Sequence, residues 1–189
     1  IRDSYQAFQR ENPEITLLIT ECGSLHAEKL LARGELDLAM ATLPASPSPE
    51  FSYLRLARTQ LMLCVSPAHR LANAPSVDIS MLRDEPLVLF GTDTAPSRAV
   101  LSLFAERQLR PNVLLYSSQL SMIQQFISDG TAAAFLLDAL ARREPGLVAV
   151  PFSTPVYFDT VLLWKRGQYL YNDVERFLRF AKDFHFQDI

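Results

Sequence analysis

The chain has 189 residues, of which 49% are hydrophobic and 21% are charged, as in a globular protein with one large domain or two small ones. Its formal net charge of −3 argues against nucleic-acid binding by this chain alone, because neutralising phosphates requires a basic surface. No apolar run approaches the roughly 18 residues of a membrane span, and the first residues lack an apolar signal core, so we expect a cytoplasmic location.

The first half of the chain predicts a strand–helix–strand unit. Residues 15–20 are apolar and β-branched, which is typical of a strand buried on both faces. A helix with Ser24 as its N-cap follows and ends at Gly34, and residues 36–41 form a second apolar strand. Short connections make these strands parallel, and in such units ligands bind beyond the carboxyl ends of the strands. Ser24 and Thr42 follow these ends, which predicts a small-anion site.

The second half of the chain repeats this design. A short strand at residues 87–90 ends in a polar loop at 91–97, where Ser97 can cap the next helix. A strand at 113–116 leads into the serine-rich segment 117–121, in which a serine begins a helix that ends in glycine. A further buried strand follows at residues 132–137. We therefore predict two similar α/β halves that each aim helix N-termini at a shared cleft.

The segments on either side of the second half predict a hinge, because the chain would cross between the halves at two places. An exposed strand at 53–58 and a buried strand at 61–65 precede a proline-containing connector at 66–75. The tail contains a long strand at 158–164 and an amphipathic helix with apolar residues at i, i+3, i+4 and i+7 from Val174. If the tail packs on the first half, the chain crosses between the halves twice.

The two cysteines and three histidines show no metal-ligand spacing, so neither a metal site nor a cofactor is predicted. Cys22 and Cys64 lie in or beside apolar strand-like runs, which favours buried, reduced thiols over a redox pair. Cys22 also precedes a predicted helix N-terminus, where a thiolate would be stabilised. Because burial opposes ionisation, we predict that Cys22 is structural and reacts slowly.

Six segments of the chain resemble a known family. In chain order they are AFQRENPEITLLITECGS, LLARGELDLAMATLP, LMLCVSPAHRLA, IQQFISDGTAAAFLL, VAVPF and LLWKRGQYL. The motifs GELDLA and VSPAHRLA are the specific signals among them. On these residues the chain resembles the effector-binding (regulatory) domain of LysR-type transcriptional regulators. The resemblance implies an α/β fold with two Rossmann-like subdomains and a ligand cleft between them, of the type 2 periplasmic-binding-protein kind. Residues 1–66 with 156–189 would form the first subdomain and residues 67–155 the second.

The resemblance also implies which residues contact a small-molecule effector. They lie at the helix starts and strand ends of both subdomains, and they are Gly23, Ser24, Thr42, Leu43, Gly91, Thr92, Pro96, Ser97, Ser118, Gln119 and Leu120. We expect an anionic metabolite, a carboxylate, held by backbone N–H groups and hydroxyls while the cleft closes around it. Judged by spacing alone, a plain helix cap is the alternative role of each serine.

The partners implied by the resemblance are a second copy of the chain and DNA. We expect a homodimer or tetramer that uses the helices at 27–33 and 120–129. DNA would be bound by a separate N-terminal winged helix-turn-helix that these residues do not include. In the family a strand and a polar loop precede the helix equivalent to residues 1–10, so we expect a fragment that lacks one central strand.

Two other classes of protein are alternatives to a regulator. A solute-binding protein of a transport system shares the fold, and its parent gene would encode a signal peptide instead of a helix-turn-helix. An enzyme is disfavoured, because the sequence shows no nucleophile with base spacing, no glycine-rich phosphate loop and no metal cluster.

Overall fold

The computed structural model describes residues 2–44, 46–184 and 186. The elements in chain order are α1 (Arg2–Glu11), α2 (Ser24–Arg33), β1 (Ala39–Leu43), β2 (Phe51–Val65), a 3-10 helix (Ile79–Leu82), β3 (Pro86–Leu89), α3 (Ala95–Glu106), β4 (Asn112–Tyr116), α4 (Leu120–Ser128), β5 (Ala133–Leu137), α5 (Asp138–Ala141), β6 (Val148–Pro151), β7 (Tyr157–Lys165) and α6 (Asn172–Asp183). They fall into two compact units, the first formed by described residues of 1–58 and 159–189 and the second by residues 59–158.

The first unit is a small sheet with helices on both faces. Strand β7 lies between β1 and β2, and β1 runs antiparallel to β7 with Ala41 opposite Val161. Successive residues of a strand point to opposite faces. Val161 accordingly packs with Leu31 of α2, whereas Leu162 packs with Leu178 of α6. The β7 strand therefore supports the cores on both faces of this sheet.

One predicted strand of the first unit is absent. Residues 15–23 form neither helix nor strand, and Leu18 and Ile19 are 94% and 55% exposed. A strand needs a neighbour that takes up its backbone hydrogen bonds, and no described residue forms a ladder with this segment. The second predicted strand does form, as β1, but it pairs antiparallel with β7. The predicted parallel strand–helix–strand unit is therefore wrong.

The second unit contains a five-stranded mixed sheet in the order β6-β2-β5-β3-β4. Strand β2 runs antiparallel to β5 and β6, while β3 runs parallel to β4 and β5. Helix α3 buries Phe104 on one face and α4 buries Ile127 on the other. The predicted strands at 87–90, 113–116 and 132–137 are confirmed within one residue at either end. Apolar residues from neighbouring strands fill both faces, so this unit has a complete core.

Two strands belong to both units. Strand β2 contributes residues 51–58 to the first unit and 59–65 to the second, and β7 passes from the second unit to the first at Asp159. The chain therefore passes between the two units twice, once in β2 and once in β7. The separate strands predicted at 53–58 and 61–65 are one continuous strand, because the run from Phe51 to Val65 contains neither glycine nor proline to interrupt the extended backbone.

Two classes of feature are not found in the part of the chain that the structure describes. No described helix has the length and hydropathy needed to cross a membrane. Among residues 2–44, 46–184 and 186, no cluster of three or more His, Cys, Asp or Glu side chains could bind a metal ion. His185, one of the histidines considered for metal binding, lies outside the described residues.

Candidate functional site

The predicted site in the first unit lies at the start of α2. Gly23 is the N-cap, with φ −66° and ψ 151°, and Ser24 is the first helical residue. The prediction that Ser24 caps the helix is therefore wrong by one position, and no side chain caps this end. The carbonyl of Gly23 accepts hydrogen bonds from the N–H groups of His26 and Ala27 at 2.9 and 3.0 Å. The N–H groups of Ser24 and Leu25 lie in the first turn, where the helix provides no carbonyl to accept from them, so they suit an anion.

A hydrogen bond joins this helix start to the end of β1. The hydroxyl of Ser24 donates to the carbonyl oxygen of Thr42 at 3.4 Å. Thr42 is half-buried, whereas Leu43 is buried among the core residues beneath α2. The structure thus brings Gly23, Ser24 and Thr42 together, and it places the Leu43 side chain in the core.

The predicted loop of the second unit is held by its own hydroxyl groups. Thr94 is the N-cap of α3, and its Oγ1 donates to the carbonyl oxygen of Gly91 at 2.9 Å. Ser97 is only 3% exposed, and its hydroxyl donates to the carbonyl oxygen of Phe90 at 2.8 Å. The prediction that Ser97 caps α3 is wrong, because the helix begins at Ala95 and Pro96 occupies its first turn. The buried Ser97 hydroxyl fixes the loop instead.

This loop also carries a positive charge near its exposed residues. Arg98 donates from Nη1 to the carbonyl oxygen of Asp93 at 2.9 Å, so its guanidinium is held beside the turn that contains the exposed Thr92. A Cβ atom added to Gly91 would lie 2.7 Å from Oδ1 of Asp93. A residue larger than glycine at this position would require the exposed Asp93 side chain to move. The turn presents a hydroxyl and a cation from one short segment.

The third predicted group lies at the start of α4. Gln119 is the N-cap, so the prediction that a serine of 117–121 begins the helix is wrong. The backbone N–H of Gln119 donates to Oγ of Ser117 at 3.0 Å. Ser118 and Gln119 are exposed, whereas Leu120 is half-buried and packs against the core on the α4 face. Ser118 and Gln119 are accordingly available to a ligand.

Two residues of the predicted segments that were not among the predicted site residues, Thr94 and Ser117, shape these turns. Thr94 directly precedes Ala95 and Pro96, and a proline in the first helical turn is a signal for the cap before it. Ser117 accepts a hydrogen bond from an N–H two residues later, a local turn that competes with helix capping and that spacing alone does not reveal.

The prediction for Cys22 is wrong with respect to burial. Cys22 is exposed, because residues 15–23 do not join a sheet, whereas Cys64 is buried within β2. Burial away from solvent raises the pKa of the Cys64 thiol to about 12. Only Cys64 therefore has the protected environment that the sequence predicted for both thiols.

The two α/β units share two strands, and each unit places helix starts beside strand ends. This is the arrangement of two-subdomain domains that bind ligands beyond the strand ends. The family model described as LysR substrate binding domain matches residues 4–185. The chain therefore belongs to the LysR substrate-binding-domain family, which confirms the resemblance and the predicted fold class.

Curated relatives of this chain include regulators that are considerably longer. An uncharacterised HTH-type transcriptional regulator of Bacillus subtilis, YwbI, is 27% identical over 180 residues, which are 94% of this chain and 60% of that protein. A probable nitrogen assimilation transcriptional activator of Synechococcus elongatus is 30% identical over 155 residues, 78% of this chain and 50% of the relative. The chain thus spans 50–60% of the length of these two proteins.

Solved structures of low identity share the fold. The C-terminal domain of a probable LysR family regulator from Rhodococcus sp. RHA1 has a TM-score of 0.82 at 21% identity and covers 96% of this chain and 91% of that one. The CcmR regulatory domain of Synechocystis PCC6803 in complex with 2-PG has a TM-score of 0.85 at 18% identity, covering 95% and 88%. The effector binding domain of QuiR in complex with shikimate has a TM-score of 0.77 at 19% identity, covering 95% and 87%.

Proposed function

We propose that this chain is the small-molecule-sensing domain of a DNA-binding transcription regulator. The family match over residues 4–185 carries the proposal. The curated relatives are transcription regulators of greater length, so DNA binding is assigned to a part of the protein outside these residues. The net charge of −3 agrees with that assignment. A solute-binding role in transport is not favoured by these relatives, and the proposed role is non-catalytic and cytoplasmic.

The proposed effector is a small carboxylate-containing anion. In the first unit, the free N–H groups at the start of α2 offer donors near the end of β1, and the Ser24 hydroxyl would donate to the ligand in place of its long hydrogen bond to the Thr42 carbonyl. In the second unit, Thr92, Ser118, Gln119 and the guanidinium of Arg98 offer further donors. Shikimate, bound by the QuiR domain, is itself a carboxylate. Ligand contact by the remaining predicted residues, Gly23, Thr42, Leu43, Gly91, Pro96, Ser97 and Leu120, is part of the same proposal, with only backbone atoms contributed by Leu43 and Ser97 because their side chains are buried.

A calorimetric screen tests the effector class. Aromatic and aliphatic carboxylates are titrated into the protein, and we expect at least one to bind. Ser24→Ala should weaken that binder by about 1 kcal/mol or more, because a hydroxyl contact to an anion is lost. The matched control is Ser102→Ala, an exposed serine in the middle of α3, which should leave the affinity unchanged. Unchanged affinity in Ser24→Ala would remove Ser24 from the site.

We further propose that the protein assembles as a homodimer through α2 and α4. Leu25 of α2 and Met122 of α4 remain exposed, so each helix keeps an apolar side chain on its outer surface. A two-fold pair is the commonest way in which a soluble chain covers such surfaces. Sedimentation velocity at micromolar concentration should show a dimer, and Met122→Glu should shift it towards monomer. A folded wild-type chain that sediments only as monomer would contradict this proposal.

A further inference from the structure

A cavity of about 320 Å³ lies within the first unit and contains none of the predicted ligand residues. Its lining consists of Ser46, Pro47, Tyr53, Arg55, Asp159 and Val161. Tyr53 and Arg55 are two apart on β2, as are Asp159 and Val161 on β7, so each pair points to one face of its strand. Val161 also belongs to the core beneath α2, which places the cavity on the α2 face. The volume is that of a small-molecule site.

Asp159 is the residue of this cavity whose carboxylate has a buried oxygen with no hydrogen-bond partner in the described part of the chain. Its side chain is 29% exposed, yet Oδ1 is buried and receives no hydrogen bond from any residue that the structure describes. Two guanidinium groups approach it: Arg55 Nη1 lies 3.8 Å from Oδ2, and Arg58 Nε lies 3.9 Å from Oδ1. Both distances exceed the length of an N–H···O hydrogen bond. The buried Oδ1 leaves negative charge uncompensated, which favours a cationic donor group at the exposed part of the Asp159 side chain.

Arg55 supplies the opposite charge on the same wall. Its side chain is 58% exposed, and the ion pair with Asp159 is long, so the guanidinium can still donate two hydrogen bonds to a ligand carboxylate in bidentate geometry. A simple amine near Asp159 would be repelled by Arg55 and Arg58, and a simple anion on Arg55 would leave the Asp159 carboxylate without a cationic donor. A ligand that carries both an ammonium and a carboxylate group satisfies both side chains.

The remaining walls define the rest of the ligand. Pro47, Val161 and the ring of Tyr53 are apolar surfaces, which suit an aliphatic or aromatic side chain. We propose that this cavity binds a free α-amino acid with an apolar side chain, its ammonium group on Asp159 and its carboxylate on Arg55. Asp159 faces Leu43 across the β1–β7 ladder, so this second site lies one strand away from the predicted effector residues of the first unit.

Matched ligands test this proposal directly. L-Leucine, L-phenylalanine and L-methionine are titrated into the protein by calorimetry, followed by 4-methylpentanoate and 3-methylbutylamine, which are leucine without its ammonium and without its carboxylate. We expect at least one amino acid to bind with a dissociation constant below about 1 mM, and both leucine analogues to bind at least about ten-fold more weakly than leucine if leucine is that ligand. If another amino acid binds best, its own deaminated and decarboxylated analogues are used.

Variants of Arg55 and Asp159 then test whether these side chains bind the carboxylate and the ammonium group of the amino acid. Arg55→Gln and Asp159→Asn should each weaken the amino acid about ten-fold or more, because each removes one charge-assisted hydrogen bond. The matched control is Arg33→Gln, because Arg33 forms an exposed pair with Glu35 at the same 3.8 Å separation but does not line the cavity. Its affinity should equal that of the wild type. Circular dichroism checks the fold of each variant, and Arg55→Gln decides the matter if Asp159→Asn does not fold.

Several results would overturn the proposal. They are the absence of binding heat with all three amino acids at about 10 mM, equal affinity for an analogue that lacks one charged group, and full affinity in a folded Arg55→Gln variant. Ser24→Ala should keep the amino-acid affinity, and a loss there would assign the amino acid to the predicted effector residues and overturn the second site. Failure of the carboxylate screen leaves these measurements unaffected, so the two proposals fail separately.

Discussion

Two segments that the sequence predicts to be buried strands differ in whether they join a sheet. Residues 15–20 read ITLLIT and remain outside any sheet, with Leu18 94% exposed. Residues 132–137 read AAAFLL and contain β5, where Leu136 is 1% exposed. The difference lies in their neighbours, because β5 is paired by β2 on one side and β3 on the other. Hydrophobicity alone therefore does not make a strand, and backbone partners decide whether an apolar run is buried.

The largest expected contrast between these regions concerns the two thiols. Cys22 follows the unpaired segment and is exposed, whereas Cys64 lies in the buried part of β2. With a pKa of about 12, roughly one Cys64 thiol in ten thousand is ionised at pH 8. Iodoacetamide at pH 8 should therefore modify Cys22 within minutes and Cys64 only after unfolding. Peptide mass spectrometry reads both sites, with urea-unfolded protein as the control. Comparable rates in the native protein would show that the two regions do not differ in protection.

The next contrast is in stability, tested with one chemical change at two positions. Leu136→Ala should lower the free energy of unfolding by about 2–5 kcal/mol, because it removes buried methyl groups and leaves a cavity. Leu18→Ala should change it by less than about 0.5 kcal/mol, because the side chain is already in water. Urea unfolding followed by far-UV circular dichroism gives both values. A large loss in Leu18→Ala would mean that residues 15–20 are buried in solution.

Much of the second unit could be predicted from the sequence, because its signals are local. The apolar runs of β3, β4 and β5 and the apolar stripes of α3 and α4 appear in the order in which they fold. The helix caps were not predictable in the same way. Serine was expected at each helix start, but the N-caps are Gly23, Thr94 and Gln119. Cap position depends on backbone conformation and on competing bonds, such as the one from Ser97 to the Phe90 carbonyl.

The candidate site was predictable only in part. Ser24 and Thr42 are eighteen residues apart and do come together, as expected from a helix start beside a strand end. The cavity around Asp159 could not be predicted, because it depends on residues from the loop before β2, from β2 and from β7. Sequence separation of more than one hundred residues between Arg55 and Asp159 leaves no local pattern to detect.

The smallest expected effect is on the pH dependence of stability, and one carboxylate from each unit tests it. In the second unit, Asp78 accepts hydrogen bonds from the hydroxyl of Ser80 at 2.6 Å and from its N–H at 3.0 Å. These bonds, with a smaller contribution from Arg107, hold the pKa of Asp78 below its ordinary value of 3.8. In the first unit, a backbone hydrogen bond, followed by one from Arg176, lowers the pKa of Glu14 from its ordinary 4.5.

The sign of the pH dependence follows from these depressed values. A carboxylate whose pKa is lower in the folded state stabilises the fold fully above its ordinary pKa, and that stability is lost as the pH falls through the lower folded value. Asp78→Asn should therefore reduce the loss of stability between about pH 6 and pH 3, since asparagine does not titrate and still caps the 3-10 helix. Glu14→Gln in the first unit should likewise reduce the loss of stability at low pH, because the pKa of Glu14 is also lowered in the folded state. Urea unfolding at both pH values measures the loss, and an equal loss in Asp78→Asn and the wild type would show that Asp78 is not paired in solution.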